Sequence, residues 1–97
     1  MARAPETAQD AALRALRHRD LSVHGLEERL RARGYSESER DEAIDTLVRT
    51  GLLDDARFAA SRARVLSGRG SGDALIRHDL SRAGLDAADV EAALETL

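Results

Sequence analysis

Apolar positions along the chain gather into six groups spaced by three and four residues, the period of a helix with one buried face. The first carries Ala8, Ala12, Leu13 and Leu16 behind a capping Thr7 and ends near His18, followed by the short link Arg19-Asp20-Leu21. The second is capped by Ser22, presents Val23, Leu26 and Leu30, and stops at Gly34. A capping box of Ser36 and Glu39 opens the third, whose Ile44, Leu47 and Val48 share one face up to Thr50. The fourth is predicted from Asp55 to about Ser67, with Phe58, Ala59, Arg62, Ala63, Val65 and Leu66. Leu75, Ile76 and Leu80 mark the fifth, which stops at Gly84; Asp86 with Asp89 caps the sixth, carrying Val90, Ala93, Leu94 and Leu97. No segment alternates with period two, so no strand is predicted.

The stretch from Thr50 to Ala59 is the seam of this pattern. Gly51 ends one helix, Leu52 and Leu53 are apolar, and Asp54 caps the next, whose first turn carries Asp55. Phe58, the one phenylalanine, falls where an anchor would join the two halves, and burying such a ring is worth about 1.5–3 kcal/mol. A shift of 50 positions superposes Leu16 on Leu66, Arg19 on Arg69, Leu26 on Ile76, Leu30 on Leu80, Gly34 on Gly84, Ala43 on Ala93, Ile44 on Leu94 and Leu47 on Leu97. This is an internal duplication of a three-helix unit. The expected fold is all-α: a flexible N-terminus at 1–7, one repeat at 8–51 and a second at 52–97, elongated and curved, with the repeats sharing apolar surface.

Composition narrows the chemistry. With 97 residues and 2% aromatics, the core must be built from Leu, Val, Ile and Ala, which suits small helical units. Cysteine is absent, which excludes disulfides and thiolate-bound metal, and no apolar run approaches a membrane span, so a cytoplasmic location is expected. Every one of the 15 basic residues is arginine. The net charge of −3 argues against wholesale coating of nucleic acid, but the charge alternates. Residues 11–34 carry six arginines against three acids and 35–54 carry two against six; 55–82 again carry six against three, and 83–97 carry four acids and no base. A bipolar surface is the expected consequence.

No catalytic constellation emerges. Asp54 and Asp55 pair like an acid and a base or a metal site, yet capping explains both. His18, His24 and His78 lack ligand spacing, and no serine sits in a nucleophile elbow. The Gly68–Gly72 segment before a helix offers an anion site or a plain connector, and it lacks the strand and Gly-Lys-Ser/Thr ending of a nucleotide loop. The arginines admit two readings. Arg14, Arg17, Arg29, Arg33, Arg57, Arg64, Arg69 and Arg77 line one face for phosphates or acidic partners, or they are solvated, with Asp10–Arg14 and Asp73–Arg77 as i,i+4 pairs.

Leu21-Ser22 leading to Leu26 and Leu30, Arg33-Gly34-Tyr35, Leu47 with Gly51-Leu52-Leu53-Asp54-Asp55-Ala56-Arg57-Phe58-Ala59, and then Arg64, Gly72, Ile76, Leu80 and Ala83-Gly84-Leu85 together resemble the RecX family of recombination regulators. The resemblance covers residues 11–97, with Gly25 and Leu75 departing from the usual pattern. It implies a regulator of homologous recombination and DNA repair that binds the RecA filament on DNA and inhibits it, has no catalytic activity and no cofactor, and is monomeric. The family pattern has three tandem three-helix repeats, and the third is absent from this sequence, as in a fragment or in a short or weakened member. Gly34, Leu53, Asp54, Phe58 and Gly84 would then be structural, and the eight arginines would face the partner. A direct DNA-binding module and a scaffold for another protein are the alternatives.

Overall fold

Six helices build the protein in a computed structural model that describes residues 6–97: α1 (Ala8–His18), α2 (Val23–Ala32), α3 (Glu37–Arg49), α4 (Asp55–Gly68), α5 (Asp73–Arg82) and α6 (Ala87–Glu95). No strand occurs among the described residues. Of the expected flexible N-terminus, residues 1–5 lie outside the described residues, whereas Thr7 caps α1 by accepting from the Asp10 N–H at 3.1 Å. The other caps follow the sequence closely. Ser22, Ser36, Asp54 and Asp86 each accept from the backbone N–H three residues on, and Glu39 closes the capping box of α3. Gly72 caps α5 with no side-chain bond.

The helix ends are equally local in origin. Gly34, Gly51, Gly70 and Gly84 hold φ between 79° and 90°, a left-handed turn that an L side chain resists. Past Gly34 the Tyr35 N–H returns to the Leu30 carbonyl, and past Gly70 the Ser71 N–H returns to that of Leu66. The Gly68–Gly72 segment is therefore an ordered helix stop.

Two separate cores result. The first holds Ala8, Ala11, Ala12, Leu21, Leu26, Leu30, Ala43, Leu47 and Leu53; the second holds Ala59, Ala63, Ile76, Leu80, Leu85, Val90 and Ala93. The 50-residue shift holds for α2 with α5 and α3 with α6, matching buried Leu26 to Ile76, Leu30 to Leu80 and Ala43 to Ala93. For α1 with α4 the fully buried alanines match at a shift of 51, Ala8 to Ala59 and Ala12 to Ala63. Substantial helix packing lies within each three-helix unit, and the molecule measures 53 × 22 × 20 Å.

The shared apolar contact expected between repeats does not form. Where the units meet, polar side chains bond to backbone groups across the junction, and the buried apolar residues sort into one core on either side. The Ser22 hydroxyl donates to the Ala83 carbonyl at 2.7 Å, and Asp55 Oδ1 accepts from the Val23 N–H at 2.8 Å. Gly84 lies so close to His24 that a methyl group on it would stand 2.4 Å from the His24 Cβ. Phe58 is near this junction as expected, but it is half-buried, packing on the second core beside Arg19 and Asp20 of the first repeat. Leu53, C-terminal to the expected 51/52 boundary, closes the core of the first repeat.

Candidate functional site

Arg14 and His18 stand four apart on α1, and Arg29 and Arg33 four apart at the end of α2, so each pair projects from one side of its helix. The two helices bring them to one hollow of about 190 Å³, floored by Ala11, Ala15 and Leu30. Small side chains on α1 permit this: Ala8, Ala11 and Ala12 are buried where larger residues would push the helices apart. The arginines at the C-terminal end of α2 also meet the partial negative charge of that terminus.

Glu6 occupies the rim of this hollow. Its carboxylate accepts from Arg14 Nε and Nη2 at 3.0 and 2.7 Å in a forked pair, and lies 4.0 Å from Arg33 Nη2. The Tyr35 hydroxyl donates to the Glu6 carbonyl at 2.7 Å. The Arg14 hydrogen bond holds the Glu6 carboxyl below the usual carboxylate range, outweighing desolvation, with Arg33 and Arg17 adding to the effect. Sequence reasoning missed this contact because the anticipated partner was Asp10, one turn back on α1. The eight-residue separation of Glu6 and Arg14 has no helical meaning, since Glu6 precedes the cap.

The other side of α1 is acidic. A hollow against α3 is lined by Asp10, Glu39 and Glu42, so the first repeat is bipolar as the alternating charge predicts. In the second repeat the hollow between α4 and α5 carries Arg62, Arg82 and Asp79, with Arg19 and Asp20 reaching in from the first repeat. There Arg62 forms a forked pair with Asp79 at 3.0 and 3.2 Å, which lowers the Asp79 pKa. Asp79 stands at the position that Arg29 holds in the first repeat, so the duplicated hollow neutralises its own charge.

The remaining predicted arginines divide. Arg57 donates to the carbonyls of Gly51 and Leu52 at 3.0 and 3.3 Å, serving the link between repeats. Arg77 makes a forked pair with Glu91 of α6, at 2.8 and 3.2 Å, in place of the expected pair with Asp73. Arg17, Arg64 and Arg69 are exposed and make no ion pair among the described residues. Of the eight, Arg14, Arg29 and Arg33 line the one hollow.

Asp54 caps α4, while Asp55 caps the first N–H of α2 from across the junction. No local pattern announces that second role. Among the described residues no three His, Asp or Glu side chains are placed to hold a metal ion, and no helix is long and apolar enough to cross a membrane.

Fold and site together define a tandem three-helix repeat protein whose distinguishing surface is a small arginine-lined hollow. Models of the RecX first and second three-helix domains match residues 8–47 and 54–94. The chain belongs to the RecX family. It is 38% identical over 90 residues to a regulatory protein RecX of Pseudomonas putida, covering 93% of this chain and 63% of that one. Against the RecX of Xanthomonas oryzae pv. oryzae it is 38% identical over 91 residues, covering 94% and 57%. A crystal structure of RecX from Lactobacillus salivarius superposes with a TM-score of 0.88 at 28% identity, covering 92% of this chain and 58% of that one. The chain thus spans about six-tenths of the length of these relatives.

Proposed function

We propose that the protein regulates recombination by lying along the helical groove of the RecA filament on DNA and hindering its extension or strand exchange, while turning over no substrate itself. Family membership is the observation that carries this reading, and the form of the molecule supports it. A 53 Å rod with basic and acidic hollows on different sides of one helix suits a charged groove better than a point contact would. Among the arginines, Arg14, Arg29 and Arg33 form the best candidate contact, with Arg17, Arg64 and Arg69 exposed to join them. Arg57 and Arg77 are already engaged within the chain, so their share in binding is expected to be smaller.

Binding to RecA filaments on single-stranded DNA, compared with binding to the bare DNA, tests the proposal. Preference for the filament, weakening as salt rises, is expected. Equal affinity for bare DNA would replace it with direct nucleic-acid binding, and no affinity for either would leave a scaffold for another partner. Within the filament arm, reversing Arg29 and Arg33 together to Glu should weaken association about tenfold or more, because charge at a rim acts on encounter as well as on the complex.

A further inference from the structure

In the second repeat an arginine of the hollow is paired by a carboxylate on the same wall: Asp79 of α5 meets Arg62 of α4. In the first repeat the same place is held by Arg29, and the carboxylate comes from outside the three-helix unit, from Glu6 ahead of the first cap. Asp79 lies within α5, whereas Glu6 lies ahead of the Thr7 cap and outside any helix.

From this difference we infer that the hollow between α1 and α2 is a docking site for an acidic segment of a partner protein, and that Glu6 is a resident strap holding Arg14 at its rim until that segment displaces it. The seating of Glu6 shows the mode of recognition. A carboxylate takes the forked Arg14 pair, and the Tyr35 hydroxyl takes the backbone carbonyl of the same residue, so the strap is read as a piece of peptide. The floor of Ala11, Ala15 and Leu30 suits a short apolar side chain beside that carboxylate. A nucleic-acid strand fits less well. It carries charge at every step, whereas the floor of the hollow is apolar, made of Ala11, Ala15 and Leu30. The inference holds whichever protein supplies the segment, and so does not depend on the filament reading above.

The test uses the full chain labelled with 15N-arginine, a soluble octapeptide of alternating Glu and Leu, and a single-stranded oligonucleotide as the competing probe. Adding the peptide should move the side-chain Nε resonances of Arg14, Arg29 and Arg33 and leave that of Arg77 in place. Glu6→Gln keeps the backbone carbonyl for Tyr35 but removes the charge, and should tighten peptide binding about three- to tenfold, since a self-occupied site binds in proportion to the time it stands open. Tyr35→Phe should act in the same direction. Arg14→Gln in the Glu6→Gln background should abolish the gain, with circular dichroism showing unchanged helicity. Equal or weaker peptide binding by Glu6→Gln would overturn the strap. An oligonucleotide gain as large as the peptide gain would overturn the acidic-segment assignment in favour of a phosphate site.

Discussion

Ser22 and Ala83, 61 residues apart, are joined by a single 2.7 Å hydrogen bond in which one hydroxyl serves both repeats. The same oxygen accepts from the Gly25 N–H at 3.0 Å, so the cap of α2 and the junction with α5 are one group. Ser22 is the one buried polar residue among those described, and both of its bonds are made inside the protein. Ser22→Ala should therefore lower stability by about 2–3 kcal/mol, combining a lost cap with a carbonyl left unmet. Urea unfolding measures the loss, and amide exchange should place it at Val23–Gly25. Asp55→Ala, which uncaps the Val23 N–H, should raise exchange at the same amides.

Gly34 and Gly84 are equivalent in the repeats and differ in their surroundings. Both hold left-handed φ, 90° and 81°, but a methyl group at 34 meets nothing within 4 Å whereas one at 84 collides with His24. Gly34→Ala should cost about 1–2 kcal/mol, the conformational penalty alone. Gly84→Ala should cost more, and His24→Ala in the same chain should recover only part of the excess, because the His24 Cβ that stands 2.4 Å from the added methyl remains. Thermal unfolding of the three variants checks this.

Phe58 supports the second core from its edge. A fully buried phenylalanine replaced by alanine costs about 3–5 kcal/mol, so a half-buried ring should cost about 1–3. Equilibrium unfolding of Phe58→Ala measures it, and a loss above that range would mean the ring binds the two repeats together.

Acid titration should show two carboxylates of opposite sign. Asp79 has its pKa lowered by Arg62, so its stabilisation is complete above the unfolded value of about 3.9 and is lost as pH falls through the folded one. Asp89 has its pKa raised, first by desolvation and then by Asp86, Asp55 and Asp54. Its ionised form is disfavoured in the folded state, a cost present above the folded pKa and absent below the unfolded one. Asp79→Asn should thus lower the Tm at pH 7 and Asp89→Asn raise it, the Asp89 difference vanishing below the unfolded carboxylate value and the Asp79 difference only as pH falls through its lowered folded value. Tm measured across those values decides.

Much of the molecule was legible in the chain because its signals are local. Five of the six helices announce themselves by a capping side chain three residues from its partner, four by a stop glycine and all by a three-four apolar rhythm, signals that act within one or two turns. The candidate site was legible only as a list of arginines. Periodicity says which side of a helix a residue takes, but not which helix stands opposite, so Arg77 gave no sign that it faces Glu91 and Arg14 none that it meets Glu6.

The sequence by itself determined the six helices, their duplication and the absence of a strand among the described residues, since hydrogen bonds within a helix and capping depend on neighbours a few positions away. Only the tertiary structure decided that the repeats keep separate cores, that they meet through Ser22, Asp55 and Gly84, and that three of the eight arginines line one hollow. Those outcomes depend on which surfaces meet after folding, and side chains distant in the chain carry no local mark of their partners.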